Sequence, residues 1–382
     1  MTDTSTNTPE TPRERTGYEN VNDIEAILGV TNTERDEIIH TVESNGDAIY
    51  TWNYEKGERP QLDKLYEKAK HGQWNAQTDL PWETIVDPLA EATFDYENNP
   101  AFGDTVDLSG TGAEKWGRDE WIQFNMESAK WTMSQFMHGE QGALVCTAKI
   151  VETVPWIDAK YYASTQVMDE ARHVEVFSKY VDEKLGGIYP INAHLRDLLD
   201  DIMNDSRWDM TYLGMQIMVE GLALAAFGFM FQLTNDPLLK KLLRYVMSDE
   251  ARHVAFGVLS LKEVYPQLTQ AEIRDRQEFA FEAALRMRDR FLQQEVWDQM
   301  GVDPRIICPR IMNNPDNLEF QKLLFTKIVP NCKKLGLLDA GDGWLRRRFE
   351  EIGVIEFENW VDTAEELDSF AIADELAAAQ SA

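Results

Sequence analysis

Two copies of one hexapeptide hold the residues of this chain best suited to chemistry. Asp-Glu-Ala-Arg-His-Val occupies positions 169–174 and recurs at 249–254, 80 residues later. Sliding the chain by the same 80 lays Glu140 on Glu220 and Ala143-Leu144 on Ala223-Leu224, so the repeat is longer than the hexapeptide. Each copy reads as a glutamate followed thirty residues on by Glu-x-x-His: Glu140 with Glu170 and His173, then Glu220 with Glu250 and His253. Carboxylate oxygens with one imidazole per copy form a donor set for iron or manganese rather than for copper or a structural zinc.

The elements around these residues must bring them together. From about Arg118 the apolar pattern is helical, with four long segments at roughly 118–154, 156–185, 206–234 and 237–265. Gly186-Gly187 and Pro190 separate the second from the third, with a short helix near 192–203 in that crossover. Pro155 lies midway between Glu140 and Glu170, and Asn235 midway between Glu220 and Glu250. Equal counts on both sides of a turn set the paired groups at one depth, about 22 Å from it at ~1.5 Å per residue. Glu and His three apart share a helix face. Two hairpins of this kind, paired about a pseudo-twofold axis, predict an all-α four-helix bundle with four carboxylates and two imidazoles at mid-height. Buried without cations, four carboxylates would be prohibitively costly, and a pair of divalent metals resolves this.

Neighbouring residues fit the same picture. A metal-bound histidine commonly gives its other N–H to a carboxylate, and Asp169 and Asp249 are placed to reach the histidine of the opposite hairpin. Arg172 and Arg252 would balance those aspartates. One Glu-x-x-His alone is commonplace on a solvated helix; two, each preceded by a glutamate at the same spacing, are hard to obtain by chance. Glu220 also sits in the apolar stretch QIMVEGLALAAFGFMF, where an unpaired carboxylate is costly. His138, two residues from Glu140, is expected on another face and partly exposed, and His40, His71 and His194 on the surface. Tyr161, Tyr162, Tyr212 and Tyr245 are read as packing residues.

Composition narrows the function classes. Lys plus Arg number 37 against 67 Asp plus Glu, a formal charge of -30, which repels nucleic acid and anionic membranes. Cys146, Cys308 and Cys332 are too scattered for a disulfide framework or a thiolate metal site, so a cytoplasmic setting is expected. The N-terminal segment lacks the apolar core of a signal peptide, and no apolar run of membrane-spanning length is expected. Residues 1–20 read as a disordered tail, 21–117 as a helical cap, 118–301 as the bundle with a fifth long helix over 269–301, and 302–382 as short helices with an acidic end. The tryptophans of the cap, Trp52, Trp74 and Trp82, form no motif.

Taken together, the paired motif resembles that of the ferritin-like di-iron carboxylate oxidases and oxygenases, whose bundles use one Glu from each of two helices and Glu-x-x-His from the other two. The resemblance covers roughly 118–265. It implies two iron ions, or a Mn/Fe pair, with O2 as co-substrate and oxidation of a small organic molecule. It also implies electrons from a ferredoxin or reductase, since no nucleotide or flavin motif is present, and a homodimer. Departures divide the subfamilies. Phe177 stands where ribonucleotide reductase small subunits carry their radical tyrosine, and Leu224 where multicomponent monooxygenases carry a threonine. Val246 replaces the extra histidine of arylamine N-oxygenases. Gly142 and Met215 do not provide the partners of the crosslink in tyrosine–valine ligand-binding oxidases. A ferroxidase or iron-handling protein and a reductase-like radical subunit are the alternative functions. Positions facing the site, Phe136, Met137, Leu144, Phe177, Ile217, Leu224, Phe227 and Val246 with Gln166 and Gln216 as polar exceptions, predict a largely apolar substrate pocket.

Overall fold

A computed structural model describes residues 20–30, 44–46, 55–98, 105–372, 376 and 378. The tail expected over 1–20 therefore lies almost wholly outside the described residues, as does His40. Seven helices position the site: α1 (Pro60–His71), α2 (Arg118–Thr153), α3 (Ile157–Tyr180), α4 (Ala193–Asn204), α5 (Trp208–Leu233), α6 (Pro237–Val264) and α7 (Gln270–Asp289). No strand occurs among the described residues.

Local chemistry sets their ends. At the start of α2 the Glu120 carboxylate accepts the Gly117 N–H at 2.9 Å, and Asp119 and Glu120 face the positive end of the helix dipole. Pro155 then disfavours helical geometry at Val154, and the chain reverses into α3. Asp236 caps α6 by accepting the Leu238 N–H at 2.8 Å, with Pro237 in the first turn. Asn192 caps α4, and Thr269 with Glu272 forms a capping box for α7. After Tyr180, α3 widens into a π turn over Val181–Leu185 and stops at Gly186, whose φ of 71° a side chain would resist.

The two hairpins, α2–α3 and α5–α6, form a four-helix bundle. Helix α1 lies across α3 and α6, while α4 and α7 cover the opposite flank. Close approach there depends on missing side chains. A Cβ on Gly142 of α2 would come within 2.6 Å of Leu199, and one on Gly214 of α5 within 2.5 Å of Ile202. Helix α4 thus fills the space that a larger residue at 142 would need.

Two expectations are corrected. The helix expected over 269–301 breaks: α7 closes in a 3₁₀ turn at Arg290–Leu292, Gln293 takes a left-handed φ of 51°, and a separate helix runs Gln294–Gln299. Charge periodicity carries no mark of such a kink. Second, Trp208–Leu233 is long and apolar enough to cross a membrane by length and composition, contrary to the absence read from sequence. Its most apolar stretch is 72% buried inside the protein, and it carries Glu220, so in this structure it is a core helix.

Candidate metal centre

Helix α2 supplies Glu140 and α5 supplies Glu220. Helices α3 and α6 each supply a Glu-x-x-His pair, and all six side chains meet in the bundle core. Glu170, His173 and His253 are wholly buried, and Glu140, the most exposed of the six, is 5% exposed. Their donor atoms form two overlapping groups, Glu140–Glu170–His173–Glu250 and Glu170–Glu220–His253, each within 4.8 Å. Glu170 belongs to both. The Nδ1 of His173 lies 3.1 Å from Glu250 Oε1, 3.3 Å from Glu140 Oε2 and 3.4 Å from Glu170 Oε2. The Nδ1 of His253 lies 3.1 Å from Glu170 Oε1.

One irregularity places Glu220. Helix α5 is π-wound over Leu213–Val219 and returns to α geometry at Glu220 itself. Such insertions are rare and recur at functional sites.

Behind the imidazoles lies a charge lattice. His173 Nε2 is 3.0 Å from Asp249 of the opposite hairpin, and His253 Nε2 is 3.4 Å from Asp169. Arg172 joins both aspartates, donating to Asp169 at 2.6 Å and Asp249 at 2.8 Å; Arg252 donates to Asp249. Helix α1 and the segment after it add partners that sequence reading passed over. Trp74 donates its indole N–H to Asp249 at 2.8 Å, and Gln73 donates to Asp169 at 2.8 Å while accepting from Arg172. Neither has a neighbouring motif; only the fold brings them within reach.

Other assignments change. His138 is buried, with a ring nitrogen 2.8 Å from the Tyr189 carbonyl oxygen, and is not partly exposed. His194 is also buried, not a surface residue, and burial with the nearby Arg286 charge pushes its pKa down to about 3. Both side chains are small enough to pack in a core, and His138 finds a backbone partner there. His71 is exposed. Of the expected pocket residues, Phe136 and Phe227 line a cavity of about 20 Å³ that also meets Glu140, Glu220 and Glu250. Phe177 packs behind them, its ring 6.1 Å from Phe136 and 5.6 Å from Phe227. Leu224, Val246 and Gln216 are buried off that wall, and Leu144 is half-buried. A cavity of this size holds water rather than an organic molecule, so the largely apolar substrate pocket expected from sequence is not open in this structure.

The donors fit a metal pair. Both oxygens of Glu250, one each of Glu170 and Glu220, and Nδ1 of His253 are buried without a hydrogen-bond partner. Native proteins seldom leave so many buried polar atoms unsatisfied in one place, and an oxygen-rich set with one imidazole per ion suits iron or manganese. Burial, reinforced by the Glu250 charge, pushes the Glu140 carboxyl up to about 8. Burial with the charges of Glu170 and Glu250 pushes Glu220 well above the usual range. Burial alone would lower His173, but its hydrogen bonds to Asp249 and Glu140 and the nearby Glu170 and Glu250 carboxylates outweigh that and hold it well above its ordinary value.

Protons must therefore leave when cations arrive. Without metal, the folded chain keeps a proton on Glu140 that the unfolded chain releases near its ordinary value of 4.5. That contribution to stability is present at acid pH and is lost as pH rises towards about 8. Anaerobic titration with Fe(II) at pH 6.5 should release protons, and affinity should rise steadily to pH 8. Calorimetry in buffers of different ionisation enthalpy checks this, and Glu140→Gln should release fewer protons. Binding indifferent to pH over this range would contradict the protonation pattern.

No protein-family model matches the chain, and no curated protein matches it in sequence. Among solved structures, the chain is similar to R2-like ligand-binding oxidases. A variant with an anaerobically reconstituted Mn/Fe cofactor aligns at 19% identity over 80% of this chain and 94% of its own, with a TM-score of 0.42. Another, with an aerobically reconstituted Mn/Fe cofactor, aligns at 18% identity over 80% and 95%, with a TM-score of 0.41.

Proposed function

We propose that the chain is an O2-dependent di-metal oxidase or oxygenase acting on a small organic substrate, with two irons, or manganese and iron, held by Glu140, Glu170, His173, Glu220, Glu250 and His253. The observation that carries this reading is the cluster of buried carboxylate oxygens left without partners, which two divalent cations would satisfy. When bound, such a pair supplies reduction of O2 and the oxidising power directed at substrate. Glu170, common to both donor groups, spans the two positions. Asp249 and Asp169 accept from Nε2 of His173 and His253, which fixes Nδ1 as the nitrogen turned towards the carboxylates. Gln166 donates to Glu170 and Glu220, 2.9 Å from each, and sets the orientation of both. Phe136, Phe177 and Phe227 keep bulk water from the centre. Electrons come from a ferredoxin or reductase whose basic face complements the acidic surface.

The test is O2 uptake. Apoprotein loaded anaerobically with about two Fe(II) per chain should consume O2 faster than the same ferrous iron free in buffer, and repeatedly when a reductant is supplied. Uptake no faster than free iron would sink the reading. Uptake that ends in a mineral core inside a large shell, seen by gel filtration, would favour iron handling instead.

A further inference from the structure

Every other fully packed arginine near the bundle has an acid beside it. Arg172 and Arg252 hold Asp169 and Asp249, Arg276 grips Asp209 with two bonds of 2.9 and 3.0 Å, Arg286 meets Glu282 and Arg288 meets Asp289. Arg290 is the exception. It sits in the 3₁₀ turn that closes α7 and is 3% exposed. Among the described residues it makes no ion pair, and its Nε has no hydrogen-bond partner. Its guanidinium lies against the ring of Phe291, 4.8 Å from the centroid. With no acid to hold it up, burial alone pushes its pKa down to about 9. An uncompensated buried charge is among the more costly features a fold can carry.

Its position gives it a use. Arg290 lines the cavity that reaches Glu140, Glu220 and Glu250, and among the described residues it is the only cation in that wall. Apart from Gln135, the rest of the wall is apolar or small, formed by Phe136, Gly139, Ala143, Val219, Ala223 and Phe227. A guanidinium offers a planar fork of donors that matches a carboxylate.

We propose that Arg290 anchors the anionic head of the substrate, an organic monocarboxylic acid whose apolar part lies along Phe136, Val219 and Phe227 towards the glutamates. This rests on reading those glutamates as the metal centre. The acid supplies the missing counter-charge, and its chain length decides which carbon stands next to the metals. Since the closed cavity holds little more than water, the acid enters as the wall parts. Val219 of that wall ends the π-wound stretch of α5.

The test compares phenylacetate and octanoate with their neutral amides, titrated by calorimetry into the full chain, metal-free and loaded anaerobically. Wild type should bind at least one acid, about tenfold or more tighter than its amide, in line with a charge-assisted pair. Arg290→Met should erase that preference, and Arg290→Lys should keep part of it. Arg290→Met should also melt higher than wild type when no acid is present, because it removes an unpaired buried charge. Equal binding of acid and amide, no binding by folded wild type, or an unchanged preference in Arg290→Met would overturn the proposal. So would an Arg290→Met protein that melts lower or fails to fold, since the arginine would then belong to the fold. Metal content is measured on the same samples. A chain that prefers acids through Arg290 yet holds no metal keeps the anchor and loses the oxidase reading.

Discussion

Glu170→Ala should reduce bound metal from about two ions per chain to well below one, a larger loss than any other single glutamate gives. The reason is its place in the geometry. Glu170 is the only residue common to both donor groups, whereas Glu140 belongs to one and Glu220 to the other. Glu140→Ala should therefore leave roughly one ion bound, and Glu220→Ala likewise, each with weaker affinity at the damaged position. Charge points the same way. The positive imidazoles of His253 and His173 overcome burial and hold the Glu170 carboxyl well below the usual carboxylate range. Glu170 is thus ionised before metal arrives, while Glu140 and Glu220 are protonated. The measurement is metal content by mass spectrometry after anaerobic loading and desalting, with circular dichroism to confirm that each variant folds. Equal losses in Glu170→Ala and Glu140→Ala would show that Glu170 does not span the two positions.

What could be read before the fold was known follows from what repeats and what does not. The two DEARHV copies and the turns at Pro155 and Asn235 lie within single hairpins, where residue counts translate into depth. Helix periodicity therefore sufficed to bring Glu140, Glu170 and His173 to one level, and their counterparts likewise. Gln73 and Trp74 reach Asp169 and Asp249 from 96 and 175 residues away in sequence, and no local pattern links them. His138 and His194 look like surface residues by type; their burial depends on which backbone and side chains happen to enclose them. Arg290 lies in the run RMRDRF, which reads as a solvated helix face. Only the kink at Gln293 and the cavity it shares with residues of α2 and α5 show that it lies inside. The closed cavity was illegible for a related reason. Residues facing a site can be counted from a helix wheel, but the space between them depends on rotamers and on close approaches such as Gly142 to Leu199.

Asp249→Ala should cost the metal-free protein about 3–5 kcal/mol of unfolding free energy, the scale for breaking a buried charge network by removing one partner. Asp249 accepts from Trp74 at 2.8 Å, Arg172 at 2.8 Å and His173 at 3.0 Å, and it also pairs with Arg252. Alanine would leave two buried guanidiniums to share Asp169 and would release the indole that ties the Trp74 segment to α6. Asp169→Ala should cost less, because its contacts to His253 and Arg252, at 3.4 and 3.6 Å, are longer. The pH dependence separates this network from the glutamates. Burial would raise Asp249, but the positive charges of Arg252, His173 and Arg172 hold it well below the usual range. Its contribution is therefore fully present above the ordinary value of 3.8 and is lost only as pH falls through the depressed folded value. The Asp249 carboxyl itself therefore adds no pH dependence to urea unfolding between pH 5.5 and 8, but the share of the gap that it contributes by holding the His173 proton should shrink as pH rises above the ordinary histidine value of 6.5. A loss under about 1 kcal/mol, the scale of an exposed ion pair, would mean that the arginines reach water once the aspartate is gone. The lattice would then orient His173 without holding α3, α6 and the Trp74 segment together.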